Sequence, residues 1–250
     1  MNKLLFALAI GMTLCTQVVW AYIPDSQFIF SESVKNHGKG PYSYETEVTF
    51  KRGPDSFTTH EKWLVDSSQR FSVKANGTGF VWAALIEGGR HVSVEGTGAR
   101  DADPIPADLY EPLLHARSSG EFGQFLTSHK FVTPDAITFR GIVKKKDSKT
   151  DLDQSSHPQI RMSRTDGVVA IAMGTPSLAD GTSYPMVWMD QDRFLIKKIR
   201  TPSLYEVRLS NHANFGRGLR YPRTQTLTID GVEITIQLKK MDAINALTNL

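Results

Sequence analysis

Residues 232–240 read Val-Glu-Ile-Thr-Ile-Gln-Leu-Lys-Lys, and this stretch decides the fold. Val232, Ile234, Ile236 and Leu238 alternate strictly with Glu233, Thr235, Gln237 and Lys239. Successive side chains of an extended chain point to opposite faces, so a period of two marks a strand with one buried and one wet face. Asp230-Gly231 just before it is a two-residue hairpin turn, and residues 224–229 form the partner strand. A wet face also selects the antiparallel arrangement, because strands of covered parallel sheets read as near-continuous apolar runs.

The same pattern spreads outward. In residues 42–50, Tyr42, Tyr44, Thr46, Val48 and Phe50 alternate with Ser43, Glu45, Glu47 and Thr49. Gly53-Pro54-Asp55 turns the chain, and the return strand puts Phe57, Thr59, Glu61, Trp63 and Val65 on one side. Residues 70–75 make a third strand, and 81–87 and 91–95 flank a turn at Gly88-Gly89. In the second half, 160–164 and 168–173 flank Asp166-Gly167, 184–190 and 194–200 flank Gln191-Asp192, and 204–209 follows.

Two segments break the alternation. Asp25 or Ser26 caps a helix carrying Ile23, Phe30, Val34 and His37 near one face, ended by Gly38 and Gly40. Between Asp101 and Lys130 the residues Leu109, Leu113, Ala116, Phe122, Phe125 and Leu126 recur at helical spacing. One or two helices are predicted there, broken near Ser118-Ser119-Gly120, with strand patterning resuming at Ile137. Residues 144–156 are polar and charged, and are expected to be a mobile hairpin loop. The predicted class is α+β: a large curved antiparallel sheet, an unclosed half-barrel, with helices covering its concave face. No strand–helix–strand repeat occurs, which argues against a parallel nucleotide-binding fold.

The N-terminus reads as an export signal. Lys3 precedes an apolar run over 4–19, and Val19 and Ala21 are small enough for the cleavage positions. Residues 1–21 are assigned to the signal peptide and 22–250 to a single domain, with the periplasm as the expected location. Cys15, the one cysteine, follows the bulky Leu14, a poor context for lipid attachment. A chain cleaved after Ala21 then has no disulfide, thiol nucleophile or thiolate ligand. The formal net charge of +3 gives no reason to expect a nucleic-acid partner. Charge is uneven, with 11 Lys and Arg against 15 Asp and Glu over 22–139, and 17 against 11 over 140–250.

No catalytic motif stands out. The chain lacks a Gly-x-Ser-x-Gly elbow, a His-Glu-x-x-His helix and a phosphate-binding Gly-rich loop. Its histidines, at 37, 60, 91, 115, 129, 157 and 212, do not pair at ligand spacing. A binding protein without enzymatic activity, cofactor or metal is expected. What the strands do carry is large, soft apolar side chains. The candidate cavity residues are Tyr44, Val48, Phe50 and Trp63 in the first half, and Ile234 and Ile236 at the end. In between, Val169, Ile171 and Met173 are expected to face the same pocket as Tyr184, Met186 and Trp188 on the neighbouring strand. Arg217, Arg220 and Arg223, placed in a loop between strands, are candidates for meeting anionic headgroups or an acidic partner.

The order of elements, the strand at 42–50, the segment 61–71, Met186-Val-Trp-Met-Asp190 with Phe194-Leu-Ile-Lys-Lys, and the run from Tyr221-Pro222 through Asp230-Gly231 to Lys240 resemble the LolA/LolB-type lipoprotein carrier superfamily. RseB-type sensors and mycobacterial lipid-carrier lipoproteins belong to the same group. The resemblance implies the half-barrel and a cavity for apolar ligands, a lipid or an acylated lipoprotein, with membrane-anchored donor or acceptor proteins as further partners and a monomeric chain. LolA carriers have a basic stretch before the phenylalanine of this segment, where this chain reads Asp66-Ser67-Ser68 with Arg70 beside Phe71, so the cargo does not carry over. A lipid carrier and a regulatory envelope sensor are the two functions to separate. N-terminal sequencing of the protein recovered from the periplasmic fraction should begin at Tyr22; any other start, or an acyl group on Cys15, contradicts the assignment.

Overall fold

The alternating segments pair as one continuous antiparallel sheet in the computed structural model, which describes residues 23–38, 40–67, 70–88, 90–97, 110–140, 157–178, 181–216 and 218–244. The signal segment 1–21, the polar stretch 144–156, Leu109 and Arg217 lie outside the described residues. Helix α1 (Ser26–His37) precedes a meander of β1 (Tyr42–Arg52), β2 (Asp55–Ser67), β3 (Arg70–Gly77), β4 (Phe80–Glu87) and β5 (Arg90–Thr97). Helices α2 (Glu111–Leu114), α3 (Ser119–Ser128) and α4 (Pro134–Ile137) follow. A second meander runs through β6 (Ile160–Thr165), β7 (Val168–Gly174), β8 (Met186–Asp190), β9 (Ile196–Arg200), β10 (Glu206–Asn214), β11 (Arg220–Ile229) and β12 (Val232–Ala243).

The strand order β5-β4-β3-β2-β1-β12-β11-β10-β9-β8-β7-β6 joins the two meanders at β1 and β12, in the middle of the sheet, and leaves β5 and β6 as edges. The sheet is therefore an unclosed half-barrel, as the alternation predicts. Register at the join pairs Val48 with Ile236 and Phe50 with Ile234.

Local chemistry sets the helices. The Asp25 carboxylate accepts from the Phe28 N–H at 2.7 Å, capping α1, and Gly38 ends it with φ of 87°, a conformation open to glycine. The Ser118 hydroxyl caps α3 by accepting from Glu121 N–H at 3.1 Å, and the Glu121 carboxylate reaches back to the Arg117 N–H at 2.8 Å. Ile29, Phe30 and Val34 of α1, Leu113 and Leu114 of α2, and Phe122 and Leu126 of α3 pack in one core with the inner sheet face. Phe30 meets Phe122 at 5.3 Å, and Gly123 lets them approach, since a Cβ there would lie 3.3 Å from the Phe30 ring. Among the boundaries that differ from the sequence reading, two are set by prolines. Ile137 ends a helical turn begun by Pro134, whose missing N–H costs nothing in a first turn. β8 begins at Met186, after Pro185, which has no N–H to give a ladder.

His37 ties the end of α1 to the sheet. The Ile196 N–H donates to its Nε2 at 3.1 Å, so Nδ1 carries the proton and faces the Arg220 carbonyl at 3.3 Å. That bond pattern needs the neutral ring. Burial, helped by His212 with its ring 6.0 Å away, pulls the His37 pKa down to about 3. A depressed histidine contributes stability that is complete above its unfolded value near 6.5 and is lost as pH falls towards the folded value. His37→Gln should therefore flatten the acid limb of the stability curve by about 1.4 kcal/mol per pH unit between roughly pH 6 and 4. Urea unfolding across that range checks it; an unchanged slope in the variant would show that His37 titrates normally in the fold.

Candidate functional site

Alternation and register together define the concave face. One row across the sheet runs Phe57, Phe50, Ile234 and Leu227, and the next runs Thr59, Val48, Ile236 and Gln225. Val48, Ile234, Ile236 and Leu227 are buried in the core shared with the helices. Towards the β1–β2 and β11–β12 turns the same face becomes accessible. Phe50 stacks on Phe57 with ring centroids 4.5 Å apart, and Phe57 is 47% exposed. Val232 and Ile229, paired with each other, are half-buried beside them. The apolar floor thus reaches solvent at an aromatic rim.

The second half is divided. Ile171 and Met173 face the core, and Val169, half-buried at the start of β7, shares their alternation. Met186 and Trp188 do not join them. Register sets Met173 against Val187 and Ile171 against Met189, so those residues of β8 point inward. Trp188 lies opposite Ala172 and Met186 opposite Gly174, on the outer face. There they form a small second cluster with Ala170 and Ala172. The Lys198 ammonium lies 4.9 Å and the Arg200 guanidinium 5.4 Å from the indole centroid, and both pair with Glu206, at 2.8 and 2.7 Å. Tyr184 precedes β8 and is half-buried. The expectation that Tyr184, Met186 and Trp188 share a pocket with Ile171 is therefore corrected. Met186-Val-Trp-Met is apolar at every position, so its alternation carries no sign of which face turns in.

A cleft of about 500 Å³ also opens on the outer face, between Glu206, Arg208, Thr226, Thr228, Glu233 and Thr235, with Leu204 at its side. It is polar, and Arg208 is paired with Asp166 at 2.8 Å. Arg220 and Arg223 belong to β11, not to a loop as the sequence reading had it. Arg223 lies 5.8 Å from the Phe215 ring centroid.

The middle of the concave face is not purely apolar. Glu111 on α2, 3% exposed, points its carboxylate into the sheet. Its Oε1 accepts from the Tyr221 hydroxyl at 2.7 Å and the Gln225 amide at 3.4 Å; its Oε2 faces His115 Nε2 at 2.8 Å and the Tyr44 hydroxyl at 3.5 Å. Gln225 also donates to the Tyr221 hydroxyl at 2.9 Å and accepts from Tyr110 at 3.0 Å. A second buried carboxylate, Glu61, accepts on Oε2 from the Trp63 indole N–H at 2.9 Å and from the Thr46 hydroxyl at 3.5 Å. Trp63 stacks on Tyr44 at 5.6 Å, which makes one polar and aromatic seam of the two carboxylates. Burial drives the Glu61 pKa up to about 7, the two donors hold it back, and Glu111 adds to the rise. The Glu61 side of the seam was legible, since Glu61 alternates in phase with Trp63. Glu111 was not, because the helical spacing there is carried by Leu109, Leu113 and Ala116 and marks an apolar face without it. Among the described residues no group of three or more His, Cys, Asp or Glu is arranged to hold a metal ion.

No family model matches the chain, and no curated protein does. Among solved structures, a LolA superfamily protein from Nitrosomonas europaea superposes with a TM-score of 0.51 over 90% of this chain and 96% of its own, at 11% identity. An outer membrane lipoprotein-sorting protein domain from Vibrio parahaemolyticus gives 0.45 over 86% and 90%, at 11% identity. A DUF1329 family protein from Desulfovibrio piger gives 0.43 over 90% and 96%, also at 11% identity. The chain has the LolA-like fold.

Removing the hub of the seam has a calculable cost. Glu111→Ala strands the Tyr221 hydroxyl and His115 Nε2 at nearly zero exposure, and should destabilise the protein by roughly 3 kcal/mol or more. Glu111→Gln keeps an acceptor and should cost less. Chemical unfolding measures both; equal stability of Glu111→Ala and the parent would show that the network holds nothing together.

Proposed function

We propose that the chain is an exported binding protein of the bacterial envelope that receives the acyl chain of a lipid or an acylated lipoprotein on the concave face of its half-barrel. The observation that carries this reading is the apolar floor of Val48, Ile234 and Ile236, which continues without interruption to the accessible rim of Phe50, Phe57, Val232 and Ile229. An acyl chain laid along that floor leaves water at about 0.8 kcal/mol per methylene. The LolA-like fold supports the reading by architecture, since an unclosed sheet leaves a concave face whose cover is short helices and not a second sheet. No helix among the described residues is long and apolar enough to cross a membrane. The signal-like N-terminus supports a periplasmic location, and in this reading the protein works as a monomer that meets membrane-anchored donors or acceptors. Carriage and sensing both begin with this binding step.

The neutral apolar dye N-phenyl-1-naphthylamine tests it. Its fluorescence should rise saturably with the protein. Phe57→Asp, at the exposed rim, should weaken that binding roughly tenfold, as expected when a charge is placed beside an apolar ligand. Trp188→Ala should leave dye binding alone while destabilising the fold by roughly 3 kcal/mol, because it empties only the outer cluster. A well-folded protein that gives no saturable signal refutes the reading, and loss of dye binding in Trp188→Ala would move the site to the outer face.

A further inference from the structure

The seam and the apolar floor meet at Thr59 and Glu61, neighbours on the concave side of β2. Thr59 is 1% exposed, and its Oγ1 has no hydrogen-bond partner. Buried hydroxyls are nearly always satisfied, so a stranded one beside an apolar groove marks a place where a partner arrives with a ligand. The neighbouring side chains of the next strand are small. Register sets Gly77 against Thr59 and Ala75 against Glu61, the two smallest side chains available, with half-buried Trp82 beyond Ala75. On its other side Thr59 faces Val48, the start of the apolar row that leads to Ile236.

The charge of this niche is as informative as its shape. The described concave positions of β1 to β4 are Tyr42, Tyr44, Thr46, Val48 and Phe50; Phe57, Thr59, Glu61, Trp63 and Val65; Phe71, Val73, Ala75 and Gly77; and Trp82, Ala84 and Ile86. None is a lysine or arginine. A phosphate or carboxylate head would sit beside Glu61, with Glu111 close enough to act on it, and would meet no cation among these positions. A carbonyl head meets better chemistry: the Thr59 hydroxyl donates to it, and so does Glu61 in its protonated form, which burial favours up to about pH 7.

We propose that Thr59 and Glu61, beside the small residues Ala75 and Gly77, form a head-group subsite that selects acyl ligands with a neutral ester or amide carbonyl over acyl ligands with an anionic head. The inference rests on the acyl-binding reading above and names the ligand class for that site.

Displacement of bound N-phenyl-1-naphthylamine tests it, using two ligands with the same chain below their aggregation thresholds, 1-palmitoylglycerol and palmitate. At pH 8, above the Glu61 value of about 7 and therefore with its carboxylate charged, the parent protein should release the dye to 1-palmitoylglycerol at about tenfold lower concentration than to palmitate, the scale of one disfavoured charge. Thr59→Val, which keeps the shape and removes the hydroxyl, should weaken 1-palmitoylglycerol about fivefold more than it weakens palmitate, as the loss of one hydrogen bond to a carbonyl head does. Glu61→Gln should bring the two ligands within about threefold of each other. Equal displacement by both ligands in the parent, or undiminished selectivity in Glu61→Gln with dye binding intact, overturns the subsite while leaving the acyl-binding reading standing. Absence of dye binding in the folded parent overturns both.

Discussion

The pairing of β1 with β12 is the contact on which the rest depends. These strands lie near opposite ends of the chain, yet they run side by side from Tyr42 opposite Ala243 to Lys51 opposite Glu233. Without that ladder there are two separate meanders, each with an apolar face too shallow to close over anything. With it, Phe57, Phe50, Ile234 and Leu227 become one row, and the floor of the proposed site exists only across this join. Bringing such distant segments together is less costly than it looks, because loop-closure entropy grows only with the logarithm of length, about 0.6 kcal/mol per doubling. The cost falls on rate: a sheet whose central pair is the most distant in sequence folds slowly and exposes its edges while it does so.

The helices close the concave face and bring in what the sheet lacks. Strands alone would offer an apolar trough interrupted by polar side chains such as Thr46, Thr59, Glu61 and Gln225. Glu111, delivered by a helix of four residues, draws Tyr221, Gln225, His115 and Tyr44 around one carboxylate and fixes the cover to the centre of the sheet. His37 does the same at the end of α1, through backbone groups of Ile196 and Arg220. The cover is thus held by a few buried polar contacts at one end and by apolar packing elsewhere. The Phe50–Phe57 rim remains the accessible part of the face, on the side away from Tyr42 and His115, whose rings lie 5.6 Å apart.

Much of this was legible in the sequence, for reasons that also explain what was not. Residues 232–240 and 42–50 alternate apolar with charged or polar residues, so one look assigns both the strand and its buried face, and Val48, Phe50, Ile234 and Ile236 follow. β8 fails the same test. Met186-Val-Trp-Met is apolar on both faces because the outer one is roofed by Lys198 and Arg200, and large size drew Trp188 into the predicted pocket when its neighbour Val187 faces the core. The helical turn at 134–137 is too short for a period to appear, and Pro134 is its local signal, whereas the turn at 111–114 falls within the helical spacing of Leu109, Leu113 and Ala116. The stranded Thr59 hydroxyl could not be foreseen at all, since satisfaction of a polar atom is a property of packing.

The central claim is that an acyl chain lies on the concave face beside the β1–β12 join. Photo-crosslinking tests it most directly: a neutral palmitoyl ester carrying a diazirine near the end of its chain is bound, irradiated, and the labelled peptides are mapped by mass spectrometry. The account predicts label on the peptides holding Val48 and Phe50 and those holding Ile234 and Ile236, competed away by unlabelled ester. Competed label confined to the outer-face residues around Met186, Trp188 and Lys198 would contradict it.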